Sequence, residues 1–337
     1  HRCVICYKAK PRAQEQMMAD LSRVRVNPGR PFNSTGIDLC GPVHLTHGLR
    51  KKVKSKAYIA VFICLVTRAI HLELVSSLSS SAFLAAFRRF VSRRGLCSHV
   101  YTDNGTNFTG TSRELKRLFG TAQQCGDIHS YASKHEIEWH FNPPNAPHFG
   151  GIWEAAVKST KHHLVRSVGN ASLNFEEFST FLCQIEACLN SRPLYPCSSD
   201  PNDCSALTPA HFLVGGILTL PPDEDFSNIP SNRLRRWEFV QSRFQDFWRK
   251  WSNEFINGQQ QRPKWLKPKP NLKVGELVLI REPDVPPLRW KLARISEVHP
   301  GRDNLVRVAV VRLPDGSHLK RPIDRLCPLP METIEED

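Results

Sequence analysis

No stretch of this sequence is apolar for long enough to cross a bilayer. The longest apolar run, Tyr58 to Val66, falls far short of the roughly 20 residues a spanning helix needs. The opening residues, His1-Arg2-Cys3-Val4-Ile5-Cys6, lack the basic start and apolar middle of a signal peptide. No methionine begins the chain, so a fragment or a processed product is expected. Internal repeats are absent, which sets aside solenoids and propellers. Acid is the scarce charge: 32 Asp and Glu stand against 46 Lys and Arg, a net charge of +14 over 337 residues. Such an excess favours a polyanionic partner, nucleic acid first and an anionic membrane second. A disulfide framework is not expected either. The 11 cysteines are odd in number, and Cys64, Cys97, Cys183 and Cys188 lie in apolar segments, the usage of a reducing compartment.

What is present reads as globular: 40% hydrophobic and 23% charged residues, and a length that suits about two to three domains. Phe32–Val43, Ala57–Thr67 and Ala69–Val75 carry strand signals and predict an antiparallel meander. Ser79–Arg94 has helical spacing, a serine-rich start and Gly95 to stop it. A short strand over Ser98–Thr102, a helix over Ser112–Phe119 and a strand over Glu136–Phe141 follow. The segment Asn142-Pro143-Pro144-Asn145-Ala146-Pro147 excludes regular structure. Helices over Ile152–Val168 and Phe175–Asn190 come next, the second with a capping box of Asn174 and Glu177. This order predicts an α/β unit, a mixed five-stranded sheet flanked by helices.

Residues 191–230 read as a connection. Asn232–Phe255 is a long amphipathic helix with Trp237, Val240, Phe244, Phe247, Trp248, Trp251 and Phe255 on one stripe. Its basic residues lie mostly elsewhere, as a solvated face or as a DNA contact. From Leu272 short strands alternate with turns, which predicts a small five-stranded barrel. The expected units are 1–25, 26–215, a helical linker 216–270, the barrel 271–330 and an acidic tail 331–337.

Three carboxylates sit in distinctive frames. Asp38 lies in Gly36-Ile37-Asp38-Leu39-Cys40-Gly41-Pro42, in an otherwise apolar strand where a lone charge is costly. Asp103 lies in Thr102-Asp103-Asn104-Gly105-Thr106-Asn107-Phe108, at a strand end. Glu154 lies in Pro147-His148-Phe149-Gly150-Gly151-Ile152-Trp153-Glu154, in a first helical turn. Each alone has an ordinary reading, as a turn residue or a charge on the helix dipole. Together they supply the oxygen ligands that two magnesium ions need over a phosphodiester. Lys158, Lys161 and His162 follow Glu154 on one helical face, where the lysines suit phosphates.

These frames, with Leu189-Asn190-Ser191-Arg192-Pro193-Leu194 and Leu207-Thr208-Pro209, resemble the catalytic core of a retroelement integrase. They are most similar to the BEL/Pao group of LTR retrotransposons, on an RNase H-like fold. The resemblance implies an acidic triad of Asp38, Asp103 and Glu154 binding Mg²⁺ or Mn²⁺, and DNA-gripping Lys158 and Lys161; His162, on their face, is a further DNA-binding candidate. It implies removal of a 3′ end from the element's DNA, then transfer of that end into target DNA. Double-stranded DNA, a second copy of the chain in a multimer, a polyprotein origin and no membrane partner belong to the same picture. So does action in the nucleus after a cytoplasmic particle stage. The C-terminal strands resemble the Src-homology-3-like barrel that follows such cores.

The chain departs from that pattern in two places. Fifty residues lie between Asp103 and Glu154, a longer gap than in retroviral relatives, which suggests an insertion around 110–134. The zinc domain of such integrases has a His-His-Cys-Cys set, and here only Cys3 and Cys6 remain as half a zinc site. Zinc is expected only in a longer parent chain, since a tetrahedral site takes four ligands. A domesticated or truncated DNA binder without catalysis is the alternative, and a plain nuclease of the same superfamily a second one.

Overall fold

A computed structural model describes residues 22–47, 53–103, 108–113, 137–141, 162–164, 166–168, 173–221, 223–230, 232–260, 270–282 and 285–330. β1 (Ser34–His47), β2 (Val53–Cys64) and β3 (Ile70–Val75) form the antiparallel meander. β4 (His99–Thr102) and β5 (Glu138–Phe141) join in parallel on the far side of β1. The order β3-β2-β1-β4-β5 is the RNase H-like mixed sheet.

Alternation along β2 explains why it is apolar without a break from Ala57 to Cys64: both faces are covered there. Ala60, Phe62 and Cys64 face α1 (Ser80–Arg94), packing with Phe83, Phe87 and Phe90. Ile59, Val61 and Ile63 face α2 (Phe175–Asn190), packing with Phe178, Phe181, Leu182 and Ile185. Both helices stop and start where their sequences say. The Ser79 side chain accepts from the Ala82 N–H, and Gly95 closes α1 at φ +86°. Asn174 and Glu177 each accept from the other's N–H at 2.8 Å at the start of α2.

The edge strand β3 is sealed by side chains. Asn190 on α2 accepts from the Ile70 N–H and donates to the Ile70 carbonyl, each at 2.8 Å. One turn earlier, Glu186 accepts from the Leu72 N–H at 2.8 Å. Arg89 of α1 donates to the Leu74 carbonyl. These bonds occupy the groups through which an edge strand would otherwise pair with another chain.

Several expectations needed correction. β1 runs on to His47, past a bulge between Cys40 and Val43 that contains the cis Gly41-Pro42 bond. Helix begins by Phe108, ahead of the expected Ser112, and residues 114–119 lie outside the described ones. The stretch 191–230 is not only a connection. It holds the pair β6 (Tyr195–Pro196) and β7 (Ala206–Leu207) and the short helix α3 (Pro209–Val214). α4 spans Arg236–Gln259, starting and ending about a turn later than expected. Its stripe is buried at Val240, Phe244, Phe247, Trp248 and Trp251, but Trp237 is half exposed. Trp237 stands beside the ion pair of Arg236 with Glu177, where the contact with α2 runs out. Cys183 is exposed as well, because it lies on the side of α2 opposite its buried stripe. The other three named cysteines are buried, and burial pushes the Cys97 thiol up to about 12.

The C-terminal strands form a second antiparallel sheet of β8 (Leu277–Ile280), β9 (Leu292–Pro300), β10 (Val306–Arg312), β11 (His318–Pro322) and β12 (Leu326–Pro328). Its order is β11-β10-β9-β8-β12, with one 3₁₀ turn, Ile323–Arg325, joining the two edges. β8 is buried on both faces. Val278 and Ile280 join the small core with Ala293, Ile295, Ala309 and Val311. Leu277 and Leu279 pack on Ile256 of α4. Trp290 fastens this sheet to the first one: its ring meets Trp248, Trp251 and Phe255, and its Nε1 donates to Ser191 Oγ at 3.0 Å. No described helix is long and apolar enough to cross a membrane.

Candidate active site

The parallel pairing of β1 with β4 aligns the first two carboxylates. Ser34 lies beside His99, Thr35 beside Val100 and Gly36 beside Tyr101. Two residues further along β1 stands Asp38, and two residues beyond Tyr101, just past the end of β4, stands Asp103. Residues in step on parallel strands project to one face, and neighbouring strands lie about 4.8 Å apart. The face is the one covered by α2. Asp38 pairs with Val61, a member of that core, and Tyr101, two residues before Asp103, packs against the same core.

Asp38 is half-buried rather than enclosed, and Asp103 is exposed. The expectation of a costly buried charge at Asp38 is therefore softened: the carboxylate stands at the rim of the apolar strand. The Leu39 N–H donates to Asp38 Oδ1 at 2.7 Å. The β1 bulge follows directly. Gly41 there has φ +143°, and a Cβ would stand 2.9 Å from the Tyr58 ring. Only glycine fits that turn, which bends the strand beside the site.

Glu154, Lys158 and Lys161 lie outside the described residues, as do Cys3 and Cys6. His162 is described and is exposed, in a helical stretch with His163, Leu164, Ser167 and Val168 buried. His163 fastens that stretch to α4, with Nε2 2.5 Å from Glu254 Oε2. Burial holds the His163 imidazole below its usual pKa, against the pull of Glu254. His162 and Arg166 stay on the outer side.

Sequence reasoning passed over a second polar group on the same face of the sheet. His99, Glu138 and His140 converge within 4.8 Å of one another. The available signal was the Glu138-x-His140 spacing, which puts both side chains on one face of a strand. Its partner His99 is set by the register of β4 against β5, which no local pattern reveals.

The two aspartates offer hard oxygen donors from rigid, adjacent strands, a donor set that suits Mg²⁺ or Mn²⁺. Residues 39–147 match the family model described as "Integrase core domain". Residues 235–329 match a "Family of unknown function (DUF5641)". No curated protein matches the chain. Among solved structures, a simian T-cell lymphotropic virus intasome in complex with PP2A regulatory subunit B56 gamma aligns at 14% identity. That alignment covers 98% of this chain and 89% of the other, with a TM-score of 0.38. The HTLV-2 integrase catalytic core domain in complex with magnesium, in its trimeric form, aligns at 15% identity. Coverage is 55% of this chain and 97% of that one, with a TM-score of 0.34. Residues 39–147 thus match an integrase core domain, and the strand order is that of an RNase H-like mixed sheet.

Proposed function

We propose that this chain is a retroelement integrase that processes the 3′ ends of element DNA and transfers them into target DNA. The observation that carries the reading is the parallel pairing of β1 with β4, which turns Asp38 and Asp103 to one face, Asp38 one residue before the matched integrase core and Asp103 within it. Asp38 and Asp103, with Glu154 as the third ligand, would hold Mg²⁺ or Mn²⁺. The metal supplies Lewis acidity for attack on a phosphodiester and for departure of the leaving oxygen. The chain's own contribution is rigidity: two ligands fixed on neighbouring strands, with the bulge at Gly41 shaping one side. Lys158, Lys161 and the exposed His162 would take backbone phosphates, and the net charge of +14 favours duplex DNA as partner.

The BEL/Pao affiliation rests on the sequence frames around the three carboxylates. With it come a polyprotein origin, a homo-multimer that joins two DNA ends, action in the nucleus after a cytoplasmic particle stage, and zinc on Cys3 and Cys6 in a longer parent. The test is a joining assay with terminal-repeat duplexes and Mg²⁺ or Mn²⁺. Metal-dependent joining by the wild type, lost in Asp103→Asn, is expected. Duplex binding without joining under any metal would replace the enzyme with a DNA-binding protein, and cutting without joining would make it a nuclease.

A further inference from the structure

β4 and β5 bring three metal-ligating side chains to one point beside the aspartates' face of the sheet. His99 lies directly beside Glu138, and His140 is two residues further along β5, beside Tyr101. All three project from one face, because a strand repeats every second residue. His99 Nδ1 is 3.2 Å from Glu138 Oε2. His140 Nε2 is 3.5 Å from Glu138 Oε1 and 3.3 Å from His99 Nδ1. A tetrahedral zinc ion with bonds of about 2.0–2.1 Å needs donors about 3.3–3.4 Å apart. With one donor atom from each residue, the three lie within 4.8 Å of one another, so small side-chain rotations bring them to that spacing.

The chemistry of the donors agrees with the geometry. A neutral imidazole has one N–H and one lone pair, so the tautomers that turn both lone pairs to this point join the carboxylate as three ligands. A cation at the centre satisfies all three at once. No Lys or Arg pairs with Glu138 among the described residues; its ion pairs are with the two histidines. Tyr101 stacks on His140 with centroids 4.5 Å apart and planes 13° apart, which fixes the ring's plane. The histidines are 32% and 34% exposed and Glu138 64%, so an ion can enter and a water can take the fourth corner. Two imidazoles favour zinc over magnesium. Asp103 is four residues beyond His99 and two beyond Tyr101, the neighbour of His140, so its removal in the test below is needed to isolate this group.

We propose that His99, Glu138 and His140 form a zinc site that ties the short edge strand β5 to β4. The site is separate from the carboxylate centre and stands whether or not the chain joins DNA. The test uses the metal-stripped full chain carrying Cys3→Ser, Cys6→Ser and Asp103→Asn, which removes the other expected ligands. Zn²⁺ is titrated against a chromophoric chelator, with Co²⁺ absorption and the melting temperature as further readouts. One zinc per chain is expected, with a Co²⁺ spectrum free of thiolate charge transfer and a melting temperature raised by zinc. Adding His140→Ala should weaken binding by at least about tenfold, the least that even an outer partner of a metal ligand contributes. Glu138→Gln keeps shape and should do the same, so a misfolded alanine variant would not decide the matter. Zinc binding untouched by either substitution would put the metal elsewhere. No zinc retained against the chelator would leave an ordinary histidine–carboxylate ion pair. Either result overturns the site.

Discussion

The two edges of the first sheet carry nearly the same side chains and use them in opposite ways. β3 presents His71 and Glu73, two residues apart, with Glu186 reaching in from α2. β5 presents Glu138 and His140, also two apart, with His99 reaching in from β4. On β3 the group is buried, His71 completely, and three arginines of α1 close over it: Arg89 and Arg93 on Glu73, Arg94 on Glu186. On β5 the group is open and no arginine attends it among the described residues. The lesson is that strand spacing only gathers the ligands. Burial and nearby cations then decide between a structural network and a place for an ion.

The largest expected effect comes from breaking the buried group. Glu186→Ala would leave Arg94 unpaired and the Leu72 N–H without its acceptor. A loss of about 3–5 kcal/mol in urea unfolding is expected, as for other broken buried charge pairs. A loss below about 1 kcal/mol would mean that the edge of β3 is held by packing alone.

Acid should weaken the same group. Burial pushes the His71 pKa down, against the hydrogen bond it donates to Glu186. Burial acts to raise Glu186, but hydrogen bonds from His71 and Leu72 and the charge of Arg94 outweigh it, so its carboxyl stays below the usual range. At both groups the folded chain binds fewer protons than the unfolded one, so stability rises with pH. The contribution of His71 is complete above about pH 6.5 and fades below it. That of Glu186 is lost further down, as the carboxyl protonates. Denaturant melts across this range should show both falls, and Glu186→Gln should remove the lower one.

The open group should behave oppositely. Without metal, Glu138→Ala is expected to shift stability by less than about 0.5 kcal/mol, as for exposed positions generally. A large loss in metal-free protein would erase the contrast between the two edges.

Much of this was legible in the sequence. Ser79, Gly95, Asn174 and Glu177 act within one helical turn of themselves, so their roles need no tertiary information. The run Tyr58–Val66 announced a strand covered on both sides. Asp38 was legible within a strand and Asp103 at the end of one, and the register added that β1 and β4 run side by side in parallel. The sealing of β3 by Glu186 and Asn190, more than 110 residues away in sequence, was not legible. Nor was His99 beside Glu138, nor Trp290 against α4. Each depends on which strands and helices become neighbours, and that is fixed by the whole core rather than by any local pattern.

The most direct measurement is the rate of metal-dependent end joining by Asp38→Asn, Asp103→Asn and the double variant. If the two aspartates hold the same metals, each single substitution should cost at least about a thousandfold. The double should then cost little more, as for groups that act as one unit. Joining retained by either single variant, or losses that multiply in the double, would contradict a metal centre shared by β1 and the end of β4.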